Sequence, residues 1–280
     1  MSRIQISFLA TAAVILAMGC NNTVSTPYCV TTMGDGVSST FSNNFNCVQV
    51  SVSGSNHVFQ SDNLPNHKSY YYGSSSDLYK ALPSGNKSAG SNMISSQNLK
   101  YTIPTTPTLK TGTLTSTQGG YVSVGVTANG LAIFNNAAAP PDNLSTEAQT
   151  FDNYAGHPQS GSVYHHHAAV TKLSSSMADS TLIGVALDGY LVYAEYCDNG
   201  TESTADDFKP GAPLAAPPDA NATSVSGATT TQLDQLHGHT TTTRHLSTAT
   251  YHYHYAQDPT ATIKTLLGSY FRGVPGSVSN

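Results

Sequence analysis

Polar and apolar residues alternate with a period of two along much of this chain, and clusters of Ser, Asn, Gly and Pro cut the alternation into short pieces. Cys47-Val48-Gln49-Val50-Ser51-Val52 is one such piece. Successive side chains of an extended strand point to opposite faces, so this pattern predicts a half-buried strand between turns. The stretch from Tyr28 to about Lys110 reads this way throughout, ending in the extended connector Ile103-Pro104-Thr105-Thr106-Pro107. The expected fold class is all-β or β-rich. With no charge run or second low-complexity linker to mark a boundary, residues 28–280 are read as a single domain.

The second half of the chain repeats itself, at about residues 121–170 and 181–256. Val124 to Phe134 and Ile183 to Tyr193 each join two apolar runs through Asn129-Gly130 or Asp188-Gly189, a strong signal for a hairpin with a two-residue turn. A variable loop follows in each copy. Ala137 to Thr150 is Ala/Pro-rich with room for a short helix, whereas Asp198 to Thr231 carries Pro210, Pro213, Pro217 and Pro218 and reads as a surface excursion. The copies then converge on the segments Asp152-x4-His157 and Asp234-x4-His239, and on the strands Tyr164-His165-His166-His167 and Tyr251-His252-Tyr253-His254. The predicted unit is thus a pseudo-duplicated hairpin plus a histidine strand.

These strands carry the chemistry. Residues two apart share a face, so His165 pairs with His167 and His252 with His254, while the tyrosines take the core side. Nine of the chain's 11 histidines lie between His157 and His254, leaving only His57 and His67 outside. Three imidazoles and one carboxylate per copy (His157, His165, His167 with Asp152; His239, His252, His254 with Asp234) suit a transition metal, copper or zinc. The carboxylate would serve as a ligand or as the acceptor that fixes a ring's tautomer. Whether the copies form two sites or one is open at this stage, as is the alternative that Tyr and His simply fill a sheet face. The glycines before His157 and His239 are expected to let the backbone turn sharply there. His67, His166, His237 and His245 are weaker candidates. His57 is expected at the surface and Asp188 in a turn.

The motifs Leu64-Pro65-Asn66-His67, the two Asn-Gly and Asp-Gly hairpins, Asp234-x4-His239 and Tyr251-His252-Tyr253-His254 resemble the YHYH domain family over about residues 60–275. The resemblance implies an exported bacterial protein and no particular activity. One departure is His166, which stands where the family tetrapeptide has its second tyrosine.

Composition and termini refine the picture. Charged residues make up 10% of the chain, the net charge is -5 and no basic run occurs, which argues against nucleic acid as a partner. Met1-Ser2-Arg3 followed by an apolar run from Ile4 to Ala17 reads as a signal peptide over residues 1–19. Leu16-Ala17-Met18-Gly19-Cys20 resembles a lipoprotein signal, with Cys20 as the lipidated residue and 20–27 as a tether. The expected location is the bacterial outer membrane or cell surface, anchored in the lipid bilayer, with secretion as the alternative. Cys29 and Cys47 are expected to pair in an oxidising compartment. Cys197 is then a buried thiol, a metal ligand or an intermolecular partner. There is no Gly-x-Ser-x-Gly elbow and no phosphate-binding glycine loop, so enzymatic activity, if any, would be metal-dependent hydrolysis. A structural or adhesive envelope protein that binds glycan or protein is the competing reading.

Overall fold

In the computed structural model, residues 29–85, 88–118, 122–168, 181–213, 215–257, 259 and 262–280 are described. The signal peptide, Cys20 and the tether lie outside the described residues. Strand β1 (Thr32–Met33), helix α1 (Ser39–Asn44) and strands β2 (Gln49–Ser53), β3 (Asn56–Ser61) and β4 (Leu99–Pro104) come first, followed by β5 (Thr115–Ser116). The first repeat supplies β6 (Gly125–Thr127), β7 (Ala132–Ile133), helix α2 (Leu144–Glu147), β8 (Gly156–Pro158) and β9 (Tyr164–His166). The second supplies β10 (Leu182–Ala186), β11 (Leu191–Tyr193), β12 (Gly238–Thr243) and β13 (Leu246–His254). β14 (Tyr270–Phe271) and β15 (Ser277–Ser279) close the chain.

Period-two patterning becomes sheet as expected. In β4, Leu99, Tyr101 and Ile103 are buried while Lys100 is exposed, and this strand lies in a five-stranded sheet of order β1-β2-β3-β4-β15. The repeats build a second, eight-stranded sheet of order β12-β13-β11-β10-β6-β7-β9-β8. Its two halves mirror one another about the antiparallel β6–β10 pair, where Val126 faces Val185. On each side a hairpin is followed outward by a parallel histidine strand, β9 on β7 and β13 on β11, and then by an antiparallel edge strand, β8 or β12. The duplication read from the sequence is therefore a symmetry of the sheet, and it carries the two histidine strands to opposite ends. Phe59, Tyr101 and Ile103 of the first sheet and Val126, Ile133, Val185, Val192 and Tyr253 of the second belong to one buried apolar cluster, so the two sheets share a core.

The hairpin turns differ from the two-residue form. Thr127 N–H donates to Leu131 O and Gly130 N–H to Thr127 O, with Ala186, Tyr190 and Gly189 repeating the pattern in the second copy. Among these turn residues only Gly130 (φ 73°) and Gly189 (φ 86°) are left-handed. A two-residue type I′ turn requires positive φ at both central positions, and Asn129 and Asp188 do not supply it. The result is a three-residue loop closed by the glycine. Asp188 is more than a turn residue: its buried carboxylate accepts from Tyr253 Oη at 2.6 Å and from Gly273 N–H at 2.9 Å, and burial pushes its pKa up to about 6. His57 is not at the surface but buried edge-on against Phe41, with ring centroids 4.8 Å apart.

Candidate metal centres

Strand register assembles the histidines. His157 on β8 sits directly opposite His165 on β9, and His239 on β12 directly opposite His252 on β13. Facing residues of an antiparallel pair have Cβ atoms about 5 Å apart. The third ring, His167 or His254, follows two residues along on the same face. Two groups of buried side chains result, His157-His165-His167 and Cys197-His239-His252-His254, each with its donor atoms within 4.8 Å of one another. The copies thus form two separate sites, one at each end of the sheet.

The tautomers of these rings are fixed by their partners. His239 Nδ1 lies 2.8 Å from Thr230 O, His252 Nδ1 3.0 Å from Thr250 O, and His254 Nδ1 2.7 Å from Ala194 O. A carbonyl only accepts, so each Nδ1 carries the proton and each Nε2 presents a lone pair. Those lone pairs face one another: His239 Nε2 is 3.1 Å from both His252 Nε2 and His254 Nε2. In the first group His165 and His167 direct Nδ1 to Val163 O and Asn135 O, and their Nε2 atoms are 3.0 Å apart. His157 Nδ1 donates to Thr150 Oγ1, whose own proton goes to Glu147 O. Burial holds every one of these rings neutral, bringing His157 and His252 down to about 3 and His167 and His239 to about 4, with His165 and His254 depressed well below the usual value. Neutral rings with this tautomer have no proton to share across the Nε2 contacts. A cation between them would turn repulsion into attraction, and Zn–N bonds of about 2.05 Å in a tetrahedron put nitrogens roughly 3.3 Å apart.

Asp152 and Asp234 are not brought to the Nε2 atoms. Each stands on the tyrosine face, where Tyr164 Oη or Tyr251 Oη donates to both carboxylate oxygens at 3.0 Å. Each also accepts turn amides, Tyr154 N–H and Gly156 N–H in one case, Leu236 N–H and Gly238 N–H in the other. Their role is to pin the turn entering β8 or β12. Burial raises the Asp234 carboxyl, and it would raise Asp152 too, but His67, with Nε2 3.7 Å from Oδ2, together with Ser69 and the Tyr154 N–H outweighs burial there and holds Asp152 low. The glycines of Asp-x3-Gly-His also work differently from expectation. Neither is left-handed; the bend falls one residue earlier, at Ala155 (φ 56°) and His237 (φ 72°). A Cβ on Gly156 would stand 2.4 Å from the Tyr164 ring, and one on Gly238 2.2 Å from Tyr251. The glycine is the gap through which tyrosine reaches aspartate.

The two centres differ in what surrounds them. Cys197, His239, His252 and His254 are all 0% exposed, with Cys197 Sγ 3.9 Å from His252 Nε2, and burial pushes the thiol pKa up. The excursion after Cys197 folds back over this centre instead of running free: Cys197 bonds Phe208 through the backbone, and Thr230 O anchors His239. The first centre instead borders a cavity of about 860 Å³ lined by His157, His165, His167, Glu147 and Asn135. Glu147, on α2, places Oε1 3.5 Å from His157 Nε2 and Oε2 3.7 Å from His167 Nε2, and burial raises it to about 7. The histidine spacing contains no sign of Glu147. The available signal is that it is one of three Glu in the chain and follows Asn143, whose side chain caps α2 by accepting from Thr146 N–H.

The weaker candidates stand apart from both groups. His67 Nε2 is 3.1 Å from Tyr164 Oη, behind the first centre, and stacks on Tyr154. His166 faces the core side with Nδ1 3.3 Å from Ala155 O, His245 Nδ1 is 3.0 Å from Tyr193 Oη, and His237 is buried in the turn before β12. Cys29 and Cys47 form a disulfide.

The family model described as "YHYH protein" matches residues 100–268, which is more than half of the chain and includes both centres. No curated protein and no solved structure matches it significantly.

Proposed function

We propose, from the premise that the chain belongs to the YHYH family, that it is a metal-binding protein holding one transition-metal ion, copper or zinc, at each of its two histidine centres. The observation that carries this reading is the set of Nε2 lone pairs converging at 3.0–3.1 Å while every Nδ1 is committed as a donor or aimed at a carbonyl. A sheet face filled by histidines for packing alone would direct those nitrogens to carbonyls or hydroxyls, since buried polar atoms otherwise go unsatisfied. In this reading the protein works outside the cytoplasm, lipid-anchored through Cys20. The Cys29–Cys47 disulfide supports an oxidising location.

The test is metal content. Untagged protein should retain up to two ions per chain after gel filtration, and His252→Ala/His254→Ala should retain one. Full metal content in that variant would refute the ligand assignment. Metal-free wild-type protein that takes up neither copper nor zinc at micromolar concentration would instead favour a structural or adhesive envelope role.

A further inference from the structure

Both centres offer three imidazoles, yet each has a different fourth group beside it. We infer that Glu147 is the fourth protein ligand of the first centre and Cys197 that of the second. The chain would then hold two unlike ions, an exchangeable borderline divalent cation at the first and an enclosed soft ion at the second. This inference rests on the proposal that the histidine centres bind metal.

Glu147 Oε2 and His157 Nε2 are both buried without a hydrogen-bond partner. They belong to the same small cluster, in which Glu147 Oε1 is 3.5 Å from His157 Nε2 and Oε2 is 3.7 Å from His167 Nε2. These separations are too long for hydrogen bonds and match neighbouring donors around one ion, whose carboxylate and imidazole bonds are each roughly 2.0–2.2 Å. Once ionised, a carboxylate facing lone pairs is repulsive until a cation lies between them. Helix α2 fixes the placement: the Asn143 cap starts it, and Glu147 ends it one turn later over the β8–β9 pair. At the other end of the sheet the thiol of Cys197 joins the three imidazoles from a different side, with Sγ 3.9 Å from Nε2 of His252, the counterpart of His165. Thiolate selects soft ions such as Cu(I), or zinc, whereas three imidazoles with a carboxylate suit Zn(II), Co(II) or Ni(II). Access separates the centres as well, since the first borders the 860 Å³ cavity while all four side chains of the second are 0% exposed. Only an ion at the first centre can take a further ligand from solution.

Cobalt(II) loading of the untagged full chain reads both claims. Wild-type protein should bind two cobalt ions, with one near-ultraviolet thiolate-to-cobalt band that Cys197→Ser removes. Added imidazole should shift the visible bands in the His252→Ala/His254→Ala variant, which keeps the first centre. It should leave the thiolate band of His165→Ala/His167→Ala unmoved. Glu147→Gln should weaken one of the two cobalt ions by at least about tenfold and leave the thiolate band intact. Should a double variant fail to fold, Glu147→Gln and Cys197→Ser in the otherwise wild-type chain give the same assignment by native mass titration. Unchanged cobalt affinity in Glu147→Gln, or a thiolate band that responds to imidazole, would overturn the inference. A wild-type chain that binds no cobalt, zinc or copper would fail the underlying proposal instead.

Discussion

Gly156→Ala tests the device that holds each histidine strand to its edge strand. A Cβ at this position would lie 2.4 Å from both Cζ and Oη of Tyr164, and 2.6 Å from Cε1. Restoring ordinary contact needs about 1 Å of movement, but the Tyr164 ring is fully buried. Its hydroxyl, now 3.0 Å from both Asp152 oxygens and 3.1 Å from His67 Nε2, would leave hydrogen-bond range. A lost hydrogen bond to a buried charged group costs about 1.5–3 kcal/mol, and overpacking adds roughly 1–3 kcal/mol. The expected destabilisation is about 3–5 kcal/mol. Urea unfolding of metal-free protein followed by circular dichroism measures it, and a double-mutant cycle with Tyr164→Ala isolates the cause. In the Tyr164→Ala background the extra methyl meets a vacated space, so most of its cost should vanish, a coupling of about 2 kcal/mol or more. A Gly156→Ala variant within 0.5 kcal/mol of wild type (roughly the surface-substitution range), or an equal cost in both backgrounds, would refute the reasoning.

Other expectations follow from the same geometry. Metal-free protein should lose stability on acidification: the depressed folded-state values of His157 and His252, about 3, mean the unfolded chain takes protons first once pH falls below about 6.5. Each such histidine costs about 2 kcal/mol by pH 5, and the loss continues until pH nears the folded values, so the urea midpoint should drop steadily across that window. Bound metal should flatten the upper part of this dependence until ligand protonation releases the ion. Gly130→Ala combines a left-handed backbone with a Cβ 2.3 Å from Cys47 O, and should cost about 2–4 kcal/mol in the same unfolding assay without altering metal stoichiometry. His166→Asn should keep both ions, because that ring faces away from the first centre; loss of one ion by native mass spectrometry would contradict its placement.

Sequence spacing carried most of the site but not its chemistry. The period of two placed His165 with His167 and His252 with His254, and the repeat showed that each set had a third histidine. Register then did the rest, pairing His157 with His165 and His239 with His252 across the edge strands. What spacing could not distinguish was which face the aspartates take. Asp152 and Asp234 are two residues before a left-handed turn residue's neighbour rather than on a strand, so alternation says nothing about their direction; hydrogen bonds to turn amides and tyrosine decide it. Glu147 escaped for a related reason, and for Cys197 the sequence left a metal ligand open beside a buried thiol and an intermolecular partner. Each lies between the repeat's conserved-looking elements, in segments that the two copies do not share, and only tertiary packing brings them to the imidazoles. The glycine reading failed because the same residue type serves two ends, a left-handed backbone at Gly130 and Gly189 and a missing side chain at Gly156 and Gly238.

The most direct measurement of the central claim is the number of metal ions carried per chain by untagged protein, determined by native mass spectrometry with elemental analysis across wild type, His165→Ala/His167→Ala, His252→Ala/His254→Ala and the fourfold variant. Two, one, one and none is the result expected from converging Nε2 lone pairs at both ends of the sheet. Equal counts in all four proteins, with folding intact by circular dichroism, would contradict it.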